Sequence, residues 1–171
     1  MISDVAVLET VRRILIVEDD PGVASVIAGL FETAVKSPPV IAGHGNAALD
    51  LLRRGQEFDL ITTDLLMPGG NGSDFVKGAR ALGCLRPILV ISSSIDASTM
   101  GHLEHLSPIE FLDKPFLSDG LFSRAAAVLR ESAQLQGALV KHTETLATSI
   151  ETAARLRDEL AQAVKSLKRR T

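Results

Sequence analysis

The chain has 171 residues, enough for one ordinary domain plus an appendage, and its 46% of apolar residues can build a real core. There is no Trp or Tyr and only one cysteine, Cys84, so aliphatic side chains must fill that core and no internal disulfide can staple it, which fits a reducing, cytoplasmic setting. The net charge of −3 divides into an acidic body (nine basic and fifteen acidic residues over 1–117) and a basic end (nine and six over 118–171), and no run of about eighteen apolar residues occurs, which argues against a nucleic-acid surface and a membrane span.

Residues 1–11 read as a loosely held lead-in, with Asp4 and Glu9 where a signal peptide would be basic. A first strand is expected at Arg13–Val17, running into Glu18-Asp19-Asp20-Pro21. Val23, Val26, Ile27, Leu30 and Phe31 then recur at helical spacing over Gly22–Lys36, and Ser37-Pro38-Pro39 ends the helix. Val40–Ala42 is a short strand and Asn46–Arg54 a helix. Phe58–Thr63 is the third strand; Asp64 follows it and opens onto Leu65-Leu66-Met67-Pro68-Gly69-Gly70-Asn71-Gly72, which lacks the ending of a phosphate loop and reads as a turn before a helix. Ser73–Leu82 is that helix, closed by Gly83. Pro87–Ile91 is a strand ending in Ser92-Ser93-Ser94, Ala97–Leu106 a helix, and Ile109–Leu112 a strand running into Asp113-Lys114-Pro115. Short apolar strands separated by helices predict a parallel α/β sheet, doubly wound in the flavodoxin-like order 2-1-3-4-5.

Successive strand ends thus carry an acid pair, a lone acid, a hydroxyl and a lysine. That order and spacing resembles the receiver domain of two-component response regulators, over roughly the first three quarters of the chain. Three carboxylates at one sheet edge repel one another, by about 4 kcal/mol for a pair at ~4 Å and an effective dielectric of ~20. A divalent cation reverses that repulsion, and oxygen-only donors suit Mg²⁺. The resemblance implies that Asp19, Asp64 and the Leu66 main-chain carbonyl bind Mg²⁺, with Glu18 acting through water. It implies Asp64 as phosphoacceptor, Lys114 and Ser92 as partners of the phosphoryl oxygens, a cis Lys114–Pro115 bond, and Ser92 and Phe111 as a switch pair.

Plainer readings stand beside these. Glu18, Asp19 and Asp20 could be helix-capping acids, with Asp20 the cap in either case. Lys114 could be an exposed loop lysine, Ser92 an ordinary polar strand end, and Phe111 a core residue. Ser92 stands where threonine is commoner in the family, Ser93 where a small residue is usual, and Phe111 where tyrosine is frequent. Leu66 and Ser94 fall at positions that tune phosphoryl lifetime. His44, His102, His105 and His142 have no metal-ligand spacing, and His142 lacks the surroundings of a phosphodonor.

Residues 12–135 are therefore expected to form the receiver domain and 136–171 a helical, coiled-coil-like extension. Leu139, Leu146, Ala153, Leu160 and Leu167 repeat every seven residues, with Ile150 and Val164 on the same side and Thr143 and Arg157 interrupting. The basic end, Lys165, Lys168, Arg169 and Arg170, suits a helix C-terminus. The extension pairs with a second copy or a partner helix, or else turns back at Gly137. No separate output domain is expected. The leading function is a phosphoacceptor response regulator served by a sensor histidine kinase or phosphotransfer protein, not an enzyme beyond autophosphatase activity. The alternatives are a constitutive helical scaffold and an aspartyl-nucleophile phosphatase, which would want an acid where Leu66 stands.

Overall fold

Elements along the chain are α1 (Asp4–Leu8), β1 (Ile14–Val17), α2 (Pro21–Glu32), β2 (Val40–Ala42), α3 (Gly45–Arg53), β3 (Leu60–Thr63), α4 (Gly72–Ala81), β4 (Ile88–Ser92), α5 (Ala97–Glu104), β5 (Ile109–Asp113) and α6 (Ser118–Lys168). This computed structural model describes residues 3–68 and 71–168, so Gly69-Gly70 of the turn and Arg169 and Arg170 of the basic end lie outside the described residues, as do the side chains of Leu167 and Lys168. The chain divides into one unit ending at Ser132 and a second beginning at Ala133.

The five strands form one parallel sheet in the order β2-β1-β3-β4-β5. β1, β3 and β4 are buried along their whole length, as parallel strands with both faces covered must be. Alternate side chains feed two clusters. Ile14, Ile16, Leu60, Leu89 and Ile91 pack with α2 and the first turns of α6, whereas Leu15, Val17, Ile61, Ile88 and Val90 pack with α3 and α4. No tyrosine or tryptophan is needed, because Phe31, Phe58 and Phe75 are fully buried and fill the wide gaps.

Several boundaries move, each for a local reason. α2 ends at Glu32, four residues early: the Thr33 hydroxyl and N–H both turn onto Leu30 O, and the coming prolines disfavour helix. Ala34 and Val35 are buried all the same. β3 starts at Leu60; just before it the Asp59 N–H donates to Arg13 O at 2.8 Å while its Oδ2 accepts the Arg12 and Arg13 N–H groups at 2.8 and 3.0 Å. Phe58 is buried beneath the Arg13 guanidinium, 5.1 Å from its ring centre.

The lead-in is not loose. Ser3 caps α1 by accepting the Ala6 N–H, Leu8 and Val11 are buried in the α2 cluster, and Asp4 pairs with Arg130 Nη2 at 2.7 Å. The misreading arose because five helical residues are too few to show a period. Toward the other end, α6 continues through Gly137 without a turn, so the hairpin expectation does not hold. Arg80 supports the frame at the amino edge of the sheet, opposite the strand ends that carry the expected site residues: its guanidinium donates to the carbonyls of Cys84, Arg86, Leu106 and Pro108 at 2.7–3.1 Å, tying the α4–β4 connection to the α5–β5 connection.

Because Leu8 is fully enclosed, Leu8→Ala should lower unfolding free energy by about 2–4 kcal/mol. Urea denaturation checks this; an unchanged midpoint would mean that α1 adds nothing to the core.

Candidate functional site

The backbone ladder reaches one residue beyond β1, β3 and β5, and that extra residue is in each case one of the expected site residues. Glu18 N–H donates to Ala42 O at 3.1 Å, Asp64 N–H to Val17 O at 3.0 Å and Lys114 N–H to Ser92 O at 2.9 Å. Each charged side chain is thus held in sheet register at the carboxyl edge, the usual ligand edge of an open α/β sheet. The Lys114–Pro115 bond is cis.

Four of the expected side chains meet. Lys114 Nζ donates to Asp64 Oδ2 at 2.6 Å and to Glu18 Oε2 at 2.7 Å. Ser92 Oγ donates to Asp64 Oδ1 at 2.7 Å, and the Leu66 N–H reaches the same oxygen at 3.0 Å. Burial is deep for charged groups: 3% exposure for Glu18, 7% for Asp64 and none for Ser92. Lys114 is therefore not a loop lysine in solvent, and Ser92 is not an idle strand end.

The two acids respond differently to this burial. Burial pushes both carboxyls up. For Glu18 it prevails over the Lys114 hydrogen bond and charge, so its pKa lies above the ordinary 4.5. For Asp64 burial is outweighed by Lys114, the Leu66 N–H and Ser92 together, so its pKa lies below 3.8. Burial would lower the Lys114 pKa, but its bonds to Asp64 and Glu18 hold it above 10.5. Asp64 is thus kept ionised, as a nucleophilic carboxylate must be.

The loop after Asp64 passes close over its backbone. A Cβ on Gly72 would collide with the Asp64 carbonyl oxygen and lie 2.8 Å from Asp64 C and 2.9 Å from Leu65 Cα. The Gly72 N–H closes the loop by donating to Leu65 O at 3.0 Å. Only glycine fits there, although in the sequence Gly72 reads as one more turn residue. Its signal was position: the last glycine of the run, at the first turn of α4.

Other expected residues fall nearby. Asp20 caps α2, accepting the Gly22 and Val23 N–H groups at 2.7 and 2.9 Å, while Asp19 is exposed beside it. The Leu66 side chain is 58% exposed. Phe111 is half-buried, packed on the α3–α4 cluster. Among the described residues no group of three or more His, Cys, Asp or Glu side chains could hold a metal ion by itself. The donors that are present nevertheless fit Mg²⁺. Two carboxylates already converge on one cationic point, the donors are oxygens only, and Mg²⁺ keeps several waters and needs few protein ligands.

A family model described as the response regulator receiver domain matches residues 14–126. The chain belongs to the response regulator receiver family. The transcriptional regulatory protein CpxR of Escherichia coli K12 is 34% identical over 122 residues, 71% of this chain and 50% of CpxR. The transcriptional regulatory protein CiaR of Streptococcus pneumoniae is 30% identical over 120 residues, 70% of this chain and 52% of CiaR. The chain thus spans about half the length of the curated relatives it matches. The receiver domain of a Francisella response regulator, 1452, superposes with a TM-score of 0.60 at 25% identity, covering 70% of this chain and 97% of that one. In this receiver α1 and most of α6 lie outside the matched residues. No helix among the described residues is long and apolar enough to cross a membrane.

The linkage signs follow from the shifts. Lys114 stabilises the fold below pH 10.5 and loses that contribution as pH rises through its raised folded pKa. Asp64 stabilises above 3.8 and loses its contribution as pH falls through its lowered folded pKa; Glu18 has the opposite sign, favouring the fold as acid protonates it. Lys114→Met should therefore cost about 3 kcal/mol at pH 7, where two buried carboxylates lose their partner. The cost should be clearly smaller near pH 4, where Glu18 takes up a proton instead. Urea melts at both pH values test this; an equal loss at both would show that Lys114 does not neutralise the pair.

Proposed function

We propose that this receiver is a cytoplasmic phosphoacceptor in which Asp64 takes a phosphoryl group from a sensor histidine kinase or phosphotransfer protein. The observation that carries this reading is the convergence of Lys114, Ser92 and the Leu66 N–H on one carboxylate that stays ionised. An Asp64 carboxylate oxygen attacks the phosphorus of a phosphohistidine. The new P–O bond forms as the P–N bond breaks, and the departing imidazole nitrogen keeps the electron pair and takes a proton from water. Phosphoryl transfer of this kind depends on positioning and charge neutralisation.

Before the reaction the Asp64 oxygens are occupied by Lys114 and Ser92. Both donors must change acceptor. Lys114 moves onto a phosphoryl oxygen while keeping Glu18, and Ser92 turns its hydroxyl to another. Mg²⁺ would be held by Asp19, Asp64 and the Leu66 main-chain carbonyl, with Glu18 reaching it through water, and would supply positive charge to the transferring group. Displacement of Ser92 makes room for half-buried Phe111 to rotate inward, which biases a two-state surface toward its active form. The chain acts through partners, and hydrolysis of its own acyl phosphate is the only catalysis assigned to it. A phosphatase reading is disfavoured because the position two residues beyond the nucleophile is a leucine.

We further read residues 12–135 as the receiver domain and 136–171 as an extension that joins copies of the chain, or a partner helix, and transmits the switch. From Ala133 to Lys165 every residue is exposed, including Leu139, Leu146, Ile150 and Leu160, a stripe that needs a partner.

Incubation with acetyl phosphate and Mg²⁺ should add one phosphoryl group, seen by intact-mass spectrometry and lost on omission of Mg²⁺ or in Asp64→Asn. An unmodified wild-type chain, or the same adduct on Asp64→Asn, would overturn the assignment.

A further inference from the structure

The tail stripe also specifies how its partner must lie. Leu139, Leu146, Ala153 and Leu160 occupy one seam position of a heptad, and Thr143, Ile150, Arg157 and Val164 the other. The flanking positions that normally carry orientation-setting charges hold Val140, Ala147, Ala154 and Ala161 on one side, and His142, Ser149, Leu156 and Ala163 on the other. No Asp, Glu, Lys or Arg stands there and His142 is the one titratable group, so the seam and the end-to-end charge must decide direction.

Both favour the same answer. In a parallel, in-register pair Arg157 would face Arg157 and Thr143 would face Thr143 inside the seam. Like charges would be desolvated together, with nothing apolar opposite either polar residue. Reversing one helix sets Arg157 against Leu146, Thr143 against Leu160, Ile150 against Ala153 and Leu139 against Val164. Each polar residue then meets a leucine along which its stem can lie while its polar end reaches water, and the large Ile150 meets the small Ala153. Charge agrees: residues 133–151 carry one Lys/Arg and two Asp/Glu, whereas residues 152–171 carry six and two. A parallel pair brings two basic halves together, and a reversed pair sets each against a mildly acidic one.

We propose that the partner of the tail is a second copy of this chain, docked antiparallel with Ile150 and Ala153 at its centre. This rests on the self-association offered above under proposed function. The test is dipolar spectroscopy on the full chain. A Cys84→Ala background carries one nitroxide at a time, introduced as Lys141→Cys, Thr152→Cys or Gln162→Cys, all three sites being exposed. The antiparallel pair places the two Thr152 labels nearest each other, with the Lys141 pair and the Gln162 pair each separated by about 30 Å along the axis at ~1.5 Å per residue. Three similar short distances mean a parallel pair and overturn the proposal, as does any order in which Thr152 is not the closest. Absence of dipolar coupling at all three sites, with a monomer mass by light scattering, overturns self-association itself, so the two failures are told apart.

Discussion

One ammonium group between two buried carboxylates organises this receiver. Lys114 Nζ lies 2.6 Å from Asp64 and 2.7 Å from Glu18, with both acids almost wholly covered. Removing either acid from water is costly, and a single cation must serve both. The division is unequal because the other donors are unequal. Asp64 also receives the Leu66 N–H and the Ser92 hydroxyl, whereas Glu18 relies mainly on Lys114. Asp64 is therefore the better hydrogen-bonded acid of the pair, and Glu18 bears the larger cost of burial.

The fold serves this arrangement directly. Parallel pairing carries one hydrogen bond past β1, β3 and β5, fixing Glu18, Asp64 and Lys114 before their side chains choose rotamers. Gly72 lets α4 start against the Asp64 carbonyl, and Arg80 laces two connections on the side of the sheet where α4 packs. The same contacts that order the site also occupy it. Lys114 and Ser92 are bonded to the group they would help to phosphorylate, so transfer requires them to exchange one acceptor for another. Such an exchange of short polar contacts is a local event able to bias a larger packing choice.

Much of this was legible from residue order. Apolar runs ending in an acid, a hydroxyl or a lysine announce strand ends, because buried parallel strands cannot carry such groups in their middle. Asp64, Glu18, Ser92 and Lys114 were found on that basis, and the sheet order followed. Asp20 was legible as a cap from its place before Pro21. What escaped was information held between distant segments. Leu8 and Val11 stand in a short stretch where Val5, Ala6 and Val7 are apolar too, and only contact with the α2 cluster reveals which of them are core. Gly72 resembles its neighbours until the carbonyl of Asp64 is set against it. The four carbonyls around Arg80 come from two connections that no local pattern joins. In the tail, unlike the body, the heptad spacing was visible at once, because a helix writes its contact face into the nearest seven residues.

The central claim is that Lys114 neutralises both acids while the Leu66 N–H and the Ser92 hydroxyl, given to Asp64 alone, separate the two carboxyl groups in acidity and keep Asp64 ionised. A ¹³C NMR titration of the side-chain carboxyls of Asp64 and Glu18 in the unphosphorylated, metal-free chain tests it most directly. The account predicts that Asp64 titrates below 3.8 and Glu18 above 4.5. Asp64 titrating at or above its ordinary value, or the two acids shifting in the reverse sense, would contradict it.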